Sequence, residues 1–220
     1  MLVQNPSKIL RSDNRFWGLF PDAAVAEVYK DEEGNCSGKL YEVLEFVIYK
    51  ESRSLLDLKA NQKVIILPLY GNIRINNFNK IIEAGEVVIF ESSEDQQVMV
   101  RNVGEDADAD VLIMTFNKNV SKNSYRINKI DLSIRNRLNF IDSGFSFPGF
   151  IGIFDGRETG NYVLKRENSS IFGMVINGAF EFQDRLLENR DAILIRNLDE
   201  LEFEALSENA LILFLEIPNA

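Results

Sequence analysis

The sequence predicts an all-β protein built from two similar modules in tandem. Three observations carry that expectation: strand-forming residues dominate from residue 41 onward, no helical period of comparable length appears, and the chain carries a weak internal repeat.

The strand signals concentrate at residues 41–49, 64–69, 87–90 and 111–116, which are rich in the β-branched and aromatic side chains that suit a pleated, half-buried surface. Leu201-Glu202-Phe203-Glu204-Ala205 alternates strictly, placing three apolar side chains on one face and two carboxylates on the other. Leu211-Ile212-Leu213-Phe214-Leu215 is apolar without interruption. Its length and polar flanks favour a strand covered on both faces, although periodicity alone leaves a short buried helix open. A helical turn is expected only over residues 132–138.

The repeat sets the organisation. Its first copy reads Gly71-Asn72-Ile73-Arg74-Ile75, then Lys80-Ile81-Ile82-Glu83-Ala84-Gly85-Glu86-Val87-Val88-Ile89. Its second reads Gly178-Ala179-Phe180-Glu181-Phe182, then Arg185-Leu186-Leu187-Glu188-Asn189-Arg190-Asp191-Ala192-Ile193-Leu194. With one two-residue gap the classes match throughout: glycine, alternating strand, base, two apolar residues, glutamate, two turn residues, acid, apolar run. Each copy is followed by a polar loop, an alternating strand and an apolar closing strand. The polar run 118–124 and the breakers Ser143-Gly144 and Pro148-Gly149 lie between the two modules. The expected division is therefore an N-terminal module with its leading segment over 1–117, a linker over 118–145 and a C-terminal module over 146–220.

Composition narrows the function classes. Apolar residues make up 45% of the chain, enough to build folded cores rather than disorder. Lys and Arg total 24 against 34 Asp and Glu, and the resulting charge of -10 repels phosphate backbones and anionic membranes, so direct nucleic-acid binding is not expected. No apolar run reaches the length of a signal peptide core or a bilayer span, which points to a cytoplasmic protein. The single cysteine, Cys36, has no disulfide partner and no histidine to activate it, so an incidental thiol is preferred to a nucleophile. The segment 104–110 alternates carboxylates as a calcium loop does. Counted from Asp106, however, Val111 and Asn117 stand where glycine and glutamate are needed, so an acidic loop between strands is preferred.

The phrases of the repeat resemble those of cupins, and the C-terminal half in particular resembles pirin-like and quercetinase-type bicupins. The residues that carry this resemblance are Val175-Ile176-Asn177-Gly178, Arg190-Asp191-Ala192, the alternating Leu201 to Ala205, and Leu211 to Leu215 followed by Glu216-Ile217-Pro218. It covers residues 150–218 and, on fewer anchors, 40–117; residues 1–39 contribute little. It implies two tandem cupin-like jelly-roll β-barrels, which often enclose a small ligand pocket. Active members of that family hold a metal in the first barrel through histidines and a glutamate. Carried over by spacing, those ligand positions fall at about Asp57, Lys59 and Lys63, with a later one between Asp95 and Val98; in the second barrel they fall near Leu164, Arg166 and Ser170. The chain contains no histidine, and two ammonium groups near the centre of such a site would repel a divalent cation. The family's dioxygenase chemistry is therefore not carried over, and neither a metal nor another cofactor is expected.

The candidate ligand-binding residues are Asp57, Lys59, Lys63, Tyr70 and Asp95. Lys59 and Lys63 would attract an anion if they project into a first-barrel pocket, although a solvated polar strand is the preferred account of both. Tyr70, beside the repeat glycine, would point inward as core packing or pocket lining. Phe180, Phe182, Phe203, Ile73 and Ile75 are read as barrel filling. The leading functional expectation is a metal-free module that binds a small molecule, such as a small anionic metabolite, or another protein, as a monomer or homodimer. The competing expectation is a cofactor-independent isomerase or lyase using a lysine or carboxylate in a barrel pocket. A third is a structural homo-oligomer, for which an exposed apolar patch would be the sign.

Overall fold

The computed structural model describes residues 5–31, 40–76, 79–141, 144, 148–167 and 169–218; Cys36 lies outside them. The described chain is almost entirely β-structure and divides into two compact units, Arg15–Ile130 and Asp131–Ala220 joined by Met1–Asn14. Strand β1 (Ser7–Leu10) therefore belongs to the second, C-terminal unit. The N-terminal unit contains β2 (Trp17–Leu19), β3 (Ala23–Lys30), β4 (Leu40–Ile48), β5 (Arg53–Leu58), β6 (Gln62–Tyr70), β7 (Ile73–Ile75), β8 (Glu86–Ser92), β9 (Gln96–Asn102), β10 (Ala109–Asn117) and β11 (Ser124–Lys129). The rest of the C-terminal unit contains β12 (Asn139–Ile141), β13 (Gly149–Phe154), β14 (Thr159–Val163), β15 (Ser169–Asn177), β16 (Phe180–Phe182), β17 (Leu186–Leu187), β18 (Ala192–Ile195), β19 (Glu200–Ala205) and β20 (Ala210–Pro218).

Each unit pairs a large sheet with a small one. In the N-terminal unit the large sheet runs β11-β8-β6-β10-β4-β3-β2 and the small one β5-β9-β7; in the C-terminal unit they run β1-β18-β15-β20-β13-β12 and β14-β19-β16-β17. The strand order is cupin-like, and among the described residues the two sheets of each unit are separate ladders. Alternate residues of both sheets fill the space between them. In the N-terminal unit Val64, Ile66, Val88 and Ile113 meet Leu56, Val98, Ile73 and Ile75. In the C-terminal unit Val175, Ile212 and Phe214 meet Phe180, Phe182, Leu201 and Phe203, so the five residues read as interior filling are all buried. Rings there pack edge-on, as between Phe154 and Phe203 at 5.1 Å and 84°.

The repeat has a physical cause in two turns. In the first copy the Glu86 N–H donates to the Glu83 carbonyl at 3.0 Å, and in the second the Asp191 N–H donates to the Glu188 carbonyl at 2.9 Å. The acid of each copy then accepts the N–H three residues back, Glu83 to Glu86 at 3.2 Å and Glu188 to Asp191 at 3.1 Å. The residue before each acid has positive φ, Gly85 at 89° and Arg190 at 67°. The repeat glycines match as well. Gly71 and Gly178 have φ of 78° and 80°, and a Cβ on either would lie 3.0 Å and 3.2 Å from the Cα of Ala109 and Ala210, the first residues of β10 and β20. At Gly178 that Cβ would also lie 2.2 Å from Ser207 Oγ, which accepts the Ala179 N–H at 3.0 Å. Gly178→Ala is expected to lower unfolding free energy by about 2 kcal/mol, from left-handed backbone and displacement of Ser207 together. Urea denaturation measures it.

The organisation differs from the expected one in three places. The stretch expected as a linker over 118–145 holds β11, paired along β8, and β12, paired with β13. Residues 1–14, expected with the N-terminal module, join the other unit, because β1 pairs with β18 and the Ser12 N–H donates to Asp191 at 2.7 Å. No helix forms over 132–138; instead Asp131 accepts the Ser133 N–H at 3.0 Å, and the Asn136 N–H donates to the Ile153 carbonyl at 2.8 Å. Among the described residues no helix is long and apolar enough to cross a membrane.

Candidate functional site

The five residues singled out in the sequence do not converge on one pocket. Asp57 lies on the outer face of β5, between the buried Leu56 and Leu58, and accepts a hydrogen bond from Gln97 at 2.9 Å. Lys59 and Asp95 form an exposed ion pair at 3.4 Å, and Asp95 also accepts the Ala60 N–H at 2.9 Å. That N–H and Lys59 together hold the Asp95 carboxyl below the usual carboxylate range. Lys59 is exposed in the turn that follows β5. Tyr70 is 60% exposed instead of pointing inward. The register of β6 shifts at its end, where Val111 pairs with Pro68 but Asp110 with Tyr70, and this bulge breaks the alternation that would have turned the ring into the core.

Lys63 is fully buried, yet it does not enter the interior of the unit. It lies in the row Lys63, Ile65, Leu67, on the opposite face of β6 from the core residues Val64 and Ile66. Its Nζ lies 3.0 Å from Oε1 of Glu91, its cross-strand neighbour on β8. Glu91 also pairs with Lys118 at 3.2 Å and accepts the Ser124 hydroxyl at 3.0 Å. Burial works to raise the Glu91 pKa, but the hydrogen bonds from Lys63, Lys118 and Ser124 outweigh it and bring the group to about 2. Burial lowers the Lys63 pKa despite its hydrogen bond to Glu91. The geometry of this cluster is that of an ion pair bracing the ends of β6 and β8.

Elsewhere in the N-terminal unit there is a cleft of about 600 Å³. It opens where the turn between β2 and β3 stands apart from β5, the edge strand of the small sheet. Phe20, Val25, Phe46 and Leu55 supply its apolar lining, and Asp22, Arg53 and Ser54 its polar groups. Phe46 belongs to the interior core and Val25 packs against it, so the floor of the cleft is that core. The rim is exposed: Phe20 and Leu55 are each 58% accessible. The turn carrying Phe20 is fixed by its N–H donating to the Ala23 carbonyl at 2.9 Å. None of the five sequence candidates lines this cleft. A volume in the range of small-molecule sites, an apolar floor and a few polar groups at the mouth are the attributes of a binding pocket.

In the C-terminal unit the interior row Ala210, Ile212, Phe214 ends in Glu216, a fully buried carboxylate. It accepts the Tyr162 hydroxyl at 2.6 Å and the N–H groups of Lys165 and Arg166, each at 3.0 Å. Burial and this carboxylate both push the Tyr162 pKa up. Of the positions inferred for a second-barrel site, Leu164 packs against the core, Arg166 donates its backbone N–H to Glu216 and Ser170 is buried. A shallow concavity of about 510 Å³ lies on the outer face of β14, β19 and β16 and is strongly acidic, with Glu181, Asp184, Glu202 and Glu204 among its lining.

Residues 150–217 match the family described as the quercetinase C-terminal cupin domain. No curated protein sequence matches the chain. Among solved structures, bacterial pirin YhhW of Escherichia coli in complex with nickel(II) superposes with a TM-score of 0.84 at 11% identity, covering 98% of this chain and 100% of that one. Quercetin 2,3-dioxygenase of Acinetobacter baumannii gives 0.76 at 10% identity, covering 98% and 87%. YhaK of Escherichia coli gives 0.70 at 14%, covering 94% and 95%. The likeness is one of fold. A metal of the kind bound by YhhW does not fit the residues present here, because the chain has no histidine and, among the described residues, no three Cys, Asp or Glu side chains are grouped to hold an ion. The positions inferred for ligands hold two outward-facing carboxylates, an exposed ammonium and a buried one.

Proposed function

We propose that this chain, which has the fold of the pirin- and quercetinase-like bicupins, is a metal-independent binding module whose small-molecule ligand sits in the cleft of the N-terminal unit. The supporting observation is the cleft itself, with its apolar floor of Phe46 and Val25 and polar groups confined to Asp22, Arg53 and Ser54. Binding accounts for this lining more simply than acid–base catalysis does: no lysine lines the cleft, and Asp22 is its one carboxylate.

Titration with the neutral fluorophore N-phenyl-1-naphthylamine tests the reading. Saturable binding at one site per chain is expected. Leu55→Asp, which puts a charge on the apolar wall, should weaken it by about tenfold or more, in line with the loss of a few kcal/mol of apolar contact. Leu186→Asp, at an exposed position of the other unit, should leave it unchanged. Binding that ignores Leu55→Asp would place the probe elsewhere and sink the assignment. Elemental analysis of protein produced in metal-supplemented medium and then dialysed is expected to find iron, nickel, copper, manganese and zinc far below one equivalent. A retained stoichiometric metal would overturn the metal-independent reading.

A further inference from the structure

The outer face of the small sheet that borders the cleft carries three arginines in one row. Arg53 on β5 stands opposite Arg101 on β9, and Arg101 stands opposite Arg74 on β7. All three are exposed; Arg74 and Arg101 lie between buried neighbours and Arg53 between half-buried ones, and their direct cross-strand pairing places them on the same side of the sheet. The Asn102 N–H donates to the Ser52 carbonyl at 3.0 Å, which makes the adjacent Arg53 and Arg101 a non-hydrogen-bonded pair, the closer of the two antiparallel spacings. Like charges directly opposite one another destabilise a sheet. Among the described residues no carboxylate pairs with any of the three; the one side-chain contact is from Arg53 Nη1 to Met99 Sδ at 3.8 Å. In a chain with ten more acids than bases, that is a local concentration of positive charge, with Asp57 further along the same face of β5 and Asp22 in the cleft lining as its carboxylate neighbours.

The fold does not require it. At the equivalent positions of the repeat, the C-terminal unit places Thr159, Glu204 and Glu181 in the same cross-strand row. The charge is therefore a property of this one face, and Arg53 belongs both to the row and to the wall of the cleft. On the basis of the binding role proposed above, we infer that the ligand has an apolar body and a dianionic oxyanion head group of the phosphomonoester class. Its body lies in the cleft and its head group on the arginine row. Three planar guanidinium groups across about 10 Å of sheet match a tetrahedral dianion better than a single carboxylate, since each can present two parallel N–H donors to a pair of its oxygens.

Calorimetric titration of the full chain with phenyl phosphate and with inorganic phosphate, alongside the neutral fluorophore, tests the inference. Phenyl phosphate is expected to displace the fluorophore, to bind at least about tenfold more tightly than inorganic phosphate, and to weaken with salt. Arg101→Gln, in the row but outside the cleft lining, should weaken phenyl phosphate by about tenfold, leave the fluorophore unchanged, and raise Tm in the absence of anions. Fluorophore binding that is sensitive to Leu55→Asp, with phenyl phosphate neither displacing it nor responding to Arg101→Gln, overturns the head-group assignment while leaving the cleft reading intact. Absence of binding by all the probes overturns both. Salt-sensitive self-association in sedimentation that is abolished by Arg101→Gln, without phenyl phosphate binding, assigns the row to the acidic face of a second copy and overturns the small-ligand inference.

Discussion

Glu216→Ala is expected to destabilise the protein by about 3–5 kcal/mol, because it leaves three donors around a fully buried site without their acceptor. A hydrogen bond to a charged group contributes about 1.5–3 kcal/mol, and three that share one carboxylate add less than independently. Tyr162→Phe removes one donor and keeps the acceptor, so it should cost only about 2 kcal/mol. The two variants separate further in hydrogen exchange. In Glu216→Ala the amides of Lys165 and Arg166 should lose protection together, whereas in Tyr162→Phe they should keep it. Equal losses in both variants would mean that the tyrosine, not the carboxylate, organises this end of the unit.

Glu91→Leu has the second largest expected effect, about 3–5 kcal/mol at pH 7, because it leaves Lys63 buried beside an apolar side chain. Lys118, which also pairs with Glu91, is partly exposed and remains hydrated. Combining Glu91→Leu with Lys63→Met should recover much of the loss, since an apolar pair avoids the desolvation that lowers the Lys63 pKa. The pH dependence follows from the shift at Glu91. Its folded pKa of about 2 lies below the usual value of 4.5, so its contribution is present above pH 4.5 and is lost as pH falls towards 2. The net value of the pair is smaller than that shift alone, because Lys63 loses hydration as Glu91 gains hydrogen bonds. Urea midpoints between pH 2 and 6 should therefore fall more steeply for the wild type than for Glu91→Gln. Parallel curves would show that the carboxylate is not coupled to folding.

Much of the fold was legible because burial leaves a local trace. The apolar runs of β4, β6, β8, β10 and β20 and the strict alternation of β19 announce strands without knowledge of any partner. The repeat was legible because both copies need the same positive-φ turn and the same close approach to an alanine. β11 reads as linker because its sequence, Ser-Tyr-Arg-Ile-Asn-Lys, is mostly exposed on an edge strand and its alternation rests on only two apolar residues, Tyr125 and Ile127. Lys63 gave one signal that could have been used: it opens a run that is otherwise continuously apolar through Pro68 and buried throughout. Its partner Glu91 is set by register, which no local pattern specifies. The cleft and the arginine row are further from reach. Phe20, Phe46 and Leu55 come from three separate strands or turns, and Arg53, Arg74 and Arg101 look like unrelated surface bases until the ladders place them side by side. The acid that closes the C-terminal motif was visible as Glu216, but its three donors come from residues about fifty positions earlier.

The pairing of β1 with β18 has a consequence for synthesis. The strands of the N-terminal unit are contiguous between Trp17 and Lys129, so this unit can close as soon as that segment has emerged from the ribosome. The C-terminal unit cannot be completed from its own contiguous stretch. Its β18 edge stays open until a strand translated about 180 residues earlier is brought to it, with Ser7 meeting Ile195 and Leu10 meeting Ala192. Until then β18, with its consecutive apolar residues, offers unpaired backbone groups to any other extended chain. A fragment starting at residue 131 would present that edge permanently. It should aggregate unless a peptide carrying Ser7–Leu10 is supplied in trans.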